Sequence, residues 1–287
     1  MRRVVGGFAL VMSGCGVDYD IARGDYNVGG DEEVVEPESS EPVGALEAVC
    51  SVSPNPVEPP FEAATWDGSA SVDTPQRSIV SYSWELIEKP AGSAVDLPYT
   101  DEAVISGFTP DVAGDYVAEL TVTNDIGDVA TCQATLASVP AQNLWIELNW
   151  TVAPDDMDLH LLRPGGVYGT SGDCHWTNCD TSDPSIPLLQ WGSGGVDDDP
   201  RLDLDDIEAA GPENINITEP YAGIYTIAVH DYFHRGLQAD HWGANEVTVN
   251  VYIDGALEWS GTRTISGEDE VVYFAEIDWN TGTVYGL

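Results

Sequence analysis

A chain of 287 residues is long enough for two domains of ordinary size and a tail. Its 50 acidic residues against 9 basic ones give a formal net charge of −41, and Lys89 is the only lysine. Such a surface repels phosphate backbones and anionic lipid headgroups, which argues against nucleic-acid binding and electrostatic membrane docking and makes cations the natural partners.

The N-terminus reads as a processing signal: Arg2 and Arg3, a short apolar stretch from Val4 to Met12, then Ser13-Gly14 before Cys15. The stretch is too short to span a bilayer. It resembles the lipobox of bacterial lipoproteins, with Met12 where that pattern more often has leucine. The resemblance implies residues 1–15 as signal peptide, lipidation of Cys15, and a firm anchor through several acyl chains. Gly16 is not the aspartate that retains many such lipoproteins in the inner membrane, so an outer-membrane destination, periplasmic or surface exposed, is expected. Residues 16–47 are acidic around Asp31-Glu32-Glu33 and carry Pro37 and Pro42, a composition that cannot bury enough apolar surface to fold. They read as a disordered linker.

Residues 48–138 alternate with period two in runs such as Ile79 to Leu86 and Tyr116 to Val122, separated by Gly, Pro and Asp clusters. Short strands at this spacing predict a β-sandwich. Trp66-Asp67-Gly68-Ser69-Ala70-Ser71, Tyr82-Ser83-Trp84-Glu85-Leu86, Lys89-Pro90-Ala91-Gly92-Ser93 and the run Phe108 to Tyr116 together resemble a PKD domain, an immunoglobulin-like module common on bacterial surface proteins. Trp84 is expected to fill the space between sheets.

Four cysteines remain once Cys15 is set aside, an even number that suits an oxidising compartment. Cys174 and Cys179 are close enough for a local staple, which leaves Cys50 with Cys132. Closing that longer loop contributes about 4 kcal/mol in the chain-entropy treatment.

After a join at 139–143, residues 144–287 form a second β unit. Leu144, Ile146, Leu148 and Trp150 alternate with polar or exposed neighbours, Val247 to Ile253 lead into a hairpin turn at Asp254-Gly255, and a further run spans Val271 to Ile277. The fold class is all-β: an immunoglobulin-like sandwich followed by a jelly-roll-like antiparallel sandwich.

Chemistry concentrates in two acidic segments. In Asp155-Asp156-Met157-Asp158-Leu159-His160-Leu161, a strand would turn Met157, Leu159 and Leu161 to the core and Asp156, Asp158 and His160 to the other side. Asp203 and Asp205 repeat the arrangement, and Glu213 follows Gly211-Pro212. Stacked carboxylates are unfavourable unless a cation or donors stand between them, and hard oxygen ligands suit calcium. Asp156, Asp158, Asp203, Asp205 and Glu213 are therefore the expected calcium ligands; the alternative is that Arg201 and backbone amides satisfy them. These segments, with Gly223 to Tyr232, resemble the YfaP-like family of uncharacterised exported bacterial domains, which implies a surface-associated β-domain and no established reaction.

Zinc is the rival cation, since His160, His175, His230, His234 and His241 could converge. The i, i+4 spacing of His230 and His234 has no helical meaning at a strand end, and no H-E-x-x-H motif is present. Nor is there a G-x-S-x-G elbow or a phosphate loop, so a catalyst is not expected. Trp176, Trp191, Trp242 and Trp259 sit in or beside turn-rich segments where an exposed ring could stack on a sugar. The sequence thus predicts a non-catalytic adhesion or scaffolding lipoprotein, with calcium as the candidate cofactor in its hold on another envelope protein. Surface polysaccharide binding is the alternative, and a metal-dependent hydrolase comes last.

Overall fold

The computed structural model describes residues 45–207, 209–232, 244–267 and 269–287. Cys15, His234, His241 and Trp242 lie outside them. Apart from one helical turn, the described residues are strands and their connections, and no helix among them is long and apolar enough to cross a membrane.

The first domain contains β1 (Ser51–Ser53), β2 (Ala64–Asp67), β3 (Ile79–Glu88), β4 (Val104–Phe108), β5 (Gly114–Asn124) and β6 (Val129–Ser138). They form two antiparallel sheets, ordered β1-β2-β4 and β3-β5-β6. The inward positions of β5 alternate as the period-two pattern requires, with Tyr116, Ala118, Leu120 and Val122 fully buried. Trp84 fills the space between the sheets, 6.2 Å from the ring of Trp66, which meets Phe108 edge-on. The hydroxyl of Tyr116 donates within a cluster of Asp111, Ser93 and the Val112 carbonyl, closing the corner before β5. Cys50, just ahead of β1, is bonded to Cys132 on β6 and so joins the two sheets covalently.

The second domain contains β7 (Leu144–Trp150), β8 (Met157–Leu162), β9 (Asp173–Cys174), α1 (Trp176–Cys179), β10 (Arg201–Leu204), β11 (Glu213–Ile217), β12 (Ile224–Asp231), β13 (Asn245–Ile253), β14 (Ala256–Ile265), β15 (Val271–Asp278) and β16 (Thr283–Gly286). One five-stranded sheet is ordered β10-β11-β7-β13-β14 and the other β16-β15-β12-β8-β9. The inward positions of β7 and β13, among them Ile146, Leu148, Val249 and Val251, meet Leu159, Leu161, Ile227 and Phe274 of the facing sheet in one core. The β13–β14 hairpin turns through Asp254 and Gly255, both at positive φ, as the sequence predicts.

One face departs from the sequence pattern. Trp145 and Glu147, the outward neighbours in β7, are buried, because the first domain's loop around Ala113 packs over them with Tyr252. Glu147 Oε1 accepts hydrogen bonds from the Ala113 amide (2.7 Å) and the Trp145 indole (2.9 Å). The two sandwiches therefore share a small buried junction, supplemented by Gln142 donating to Glu58.

Burial pushes the carboxyl of Glu147 up to about 7. A folded-state value above the unfolded 4.5 means that the folded protein binds the proton more tightly, so this group's stabilisation is present below the unfolded value and is lost as the pH rises through about 7. The full loss is on the order of 3 kcal/mol at 1.36 kcal/mol per pH unit. Glu147→Gln keeps the acceptor without the charge. Its stability curve, measured by denaturant unfolding between pH 4.5 and 8, should fall less steeply than wild type by a few kcal/mol; parallel curves would show that the junction does not sense this charge.

Candidate cation-binding site

The site begins with strand pairing. β8 and β12 are antiparallel neighbours in a register that sets Asp158 opposite His230 and His160 opposite Ala228. Asp158 and His160 are two residues apart and share a face, so Asp158, His160 and His230 gather on the side of the sheet away from the core. Asp156 precedes β8 and reaches the same region. One ligand atom each of Asp156, Asp158 and Glu213 lie within 4.8 Å of one another, and the same holds for Asp158, His160 and His230.

Glu213 comes from the other sheet. β9 pairs with β8 only at Leu161 and Leu162, which leaves the Leu159 amide on an open edge. Glu213 Oε2 accepts that N–H at 2.7 Å. Its other oxygen, Oε1, is buried with no hydrogen-bond donor among the described residues, as is Asp205 Oδ1. Asp205 lies close enough to Glu213 for the two carboxylates to repel, and a proton or a cation relieves that repulsion. The electrostatics agree: desolvation, then the charge of Asp158, push Asp156 up to about 8 and Asp205 up to about 6, and Glu213 well above the ordinary carboxylate range.

The histidine side is ordered by carboxylates. Asp173 on β9 is fully buried and holds His160 Nδ1 at 2.9 Å while accepting the Gly169 amide. His175 stacks on His160 at 4.9 Å between ring centroids, and Tyr168 covers it at 4.6 Å. Burial and the neighbouring His160 hold the imidazole of His175 below its ordinary value, whereas the hydrogen bond to Asp158 raises that of His230. The Cys174–Cys179 disulfide closes α1, whose start is fixed by Asn178 accepting the His175 amide and donating to the Asp173 carbonyl. That staple holds His175 and Trp176 over the sheet.

The carboxylates open into a cleft of about 350 Å³ lined by Asp156, Asp158, Asp180, Asp205, Trp176 and Tyr232, among others. Trp176 and Tyr232 meet edge-on at 5.8 Å. Of the expected calcium ligands, Asp156, Asp158, Asp205 and Glu213 come together and Asp203 does not. A register shift between Leu202 and Leu204 ends the strand alternation before Asp205, and Asp203 is spent on Thr181 and Asn216. Arg201, the expected donor to these acids, is an exposed residue at the start of β10. Trp191, expected to offer an exposed ring to a sugar, is instead buried, with its indole donating to the Ser171 carbonyl, and offers no ring to a ligand. Trp259 lies against Gly261 within β14. Asp198 and Asp199 bond the amides of Ser193 and Trp191 and serve that loop.

Residues 55–137 match the family described as K319L-like, PKD domain, and the first sandwich is a PKD-type domain. Among solved structures, the chain is similar to the PKD domain from KIAA 1837 protein, at 27% identity over 35% of this chain and 90% of that one, with a TM-score of 0.26. A second likeness is to a structure from work on the promiscuous specificity of carbohydrate-binding modules of the β-sandwich superfamily, at 11% identity over 81% of this chain and 99% of that one, with a TM-score of 0.26. No curated protein matches the chain.

In chelator the buried carboxylates oppose folding, since like charges at low dielectric repel and lose hydration. Glu213→Gln keeps an acceptor for Leu159 and supplies a donor to Asp205. It should raise the melting temperature of the metal-free chain at neutral pH by ~2–4 °C, which corresponds to about 1 kcal/mol at this size. A fall of that amount would mean that the carboxylate is satisfied without a cation.

Proposed function

We propose that the protein is an exported cell-envelope lipoprotein, tethered through Cys15, in which the PKD-type domain acts as a spacer and the second sandwich is a non-catalytic binding module organised by calcium. The observation that carries this reading is the buried triad of Asp156, Asp158 and Glu213, from two facing sheets, with Asp205 beside it at the floor of an open cleft. Carboxylate oxygens in this number suit a hard ion of relaxed geometry. A cation there would neutralise groups that otherwise repel, fix the cleft floor, and keep open positions for a ligand's oxygens. Two disulfides and the surface charge fit an oxidising, external compartment.

Within this reading the ligand is either another envelope protein or a polysaccharide. Trp176 and Tyr232 beside the carboxylates favour the saccharide, because an aromatic face packs on the apolar face of a sugar while a bound ion takes its hydroxyls. A glycan array probed with the full chain in calcium and in chelator should give calcium-dependent signals that Trp176→Ala removes. Signals insensitive to both would place any sugar elsewhere.

Calcium itself is read by thermal unfolding of the full chain in chelator and in millimolar calcium. A calcium concentration a hundredfold above the dissociation constant stabilises by about 2.7 kcal/mol. The rise in melting temperature should vanish in Asp156→Asn with Glu213→Gln and be much smaller with magnesium, which dehydrates reluctantly. An equal rise in wild type and double variant would reduce calcium to general screening of the negative charge.

A further inference from the structure

Asp158, His160 and His230 pose a different coordination problem from the oxygen triad they adjoin. His160 is 3% exposed, and its Nε2 is buried without a hydrogen-bond partner among the described residues. Its other nitrogen is occupied by Asp173, which fixes both the ring orientation and the position of one proton on Nδ1. That leaves Nε2 as a lone-pair donor. An imidazole acceptor buried with no donor is costly, as any unsatisfied buried polar atom is.

His230 is built the same way. Asp269 holds its Nε2 at 3.1 Å, and its Nδ1 lies 3.4 Å from Asp158 Oδ2. Each imidazole thus has a carboxylate on one nitrogen, and one ring nitrogen of each lies within 4.8 Å of an Asp158 oxygen. A carboxylate behind a ligating histidine is the usual means of fixing its tautomer and raising its basicity toward a metal. His175 and Tyr168 cover His160 from the outside and limit the access of water.

We propose that Asp158, His160 and His230 form a second cation site, selective for a borderline divalent ion of the zinc class, with Asp158 shared between it and the oxygen triad. Two imidazoles and one carboxylate suit zinc and its neighbours and are poor ligands for calcium, which prefers oxygen. Three protein ligands leave a position for water or for a ligand group. The site adjoins the calcium reading without resting on it, since each set contributes two residues the other lacks.

The experiment is a cobalt(II) titration of the chelator-treated full chain, followed by visible absorption, with zinc as competitor and calcium-dependent melting run in parallel. Cobalt should bind at one equivalent with visible d–d bands that zinc abolishes and millimolar calcium does not. His230→Gln, at the less buried of the two histidines, should weaken cobalt at least tenfold while keeping the calcium-dependent rise. Glu213→Gln should lose that rise and keep cobalt affinity within a few-fold. Should His160→Gln fail to fold, His230→Gln carries the same test. Wild-type cobalt affinity in His230→Gln would overturn the proposal, as would equal loss in Glu213→Gln, which would put the ion among the oxygens. Absence of any visible band in wild type would leave His230 as a protonated partner of Asp158 and Asp269 and would also overturn it. Loss of the calcium effect alone would sink the calcium reading and leave this site standing.

Discussion

The second domain turns on the hydrogen bond from the Leu159 amide to the carboxylate of Glu213. β9 is too short to cover the whole edge of β8, and a side chain from the opposite sheet serves the amide left over. An unsatisfied buried N–H costs about 1–3 kcal/mol, and a charged acceptor is the stronger way to meet it. The solution has a second effect. Glu213 enters the interior with only one of its oxygens satisfied and lies close to Asp156, Asp158 and Asp205, so a local repair of a sheet edge gathers buried carboxyl groups.

Two kinds of donor then meet at Asp158. On one side lie carboxylates alone, drawn from the ends of strands and from a loop. On the other lie two imidazoles, each held on one nitrogen by Asp173 or Asp269. The difference is geometric in origin: oxygens arrive from three separate backbone segments and tolerate variable coordination, whereas the nitrogens come from adjacent strands locked in register, which gives a tighter frame. Asp158 adjoins both groups because it stands opposite His230 and two residues from Asp156.

Much of the fold was legible from periodicity. The runs around Ile79, Tyr116, Leu144 and Val247 are strands because alternation with period two admits no other regular structure, and Asp254-Gly255 turns because both residues accept positive φ. Asp156 and Asp158 were visible as a pair for the same reason. Asp203 stands apart because period-two alternation holds only along an unbroken strand, and the register shift after Leu202 breaks it. Glu213 at the centre and the convergence of His160 with His230 depend on which strands become neighbours, and no spacing within one segment encodes that. Trp191 illustrates another limit: a tryptophan in a turn-rich segment can be the plug of its own loop. The outward face of β7 is buried by the other domain, which the alternation within β7 itself does not encode.

The Cys50–Cys132 bond has a mechanical meaning. A pull that enters the described chain at residue 45 and leaves at Leu144 need not travel through the 82 positions separating the two cysteines, because the covalent route crosses from one sulfur to the other. β1, β2, β3, β4 and β5 hang from that route as a loop that bears no tension. What bears it is the short run from Cys132 to the start of β7, where the Val57 amide and carbonyl grip Ala137 and Val139 on either side of Ser138. A module wired in this way keeps its length under load instead of unravelling.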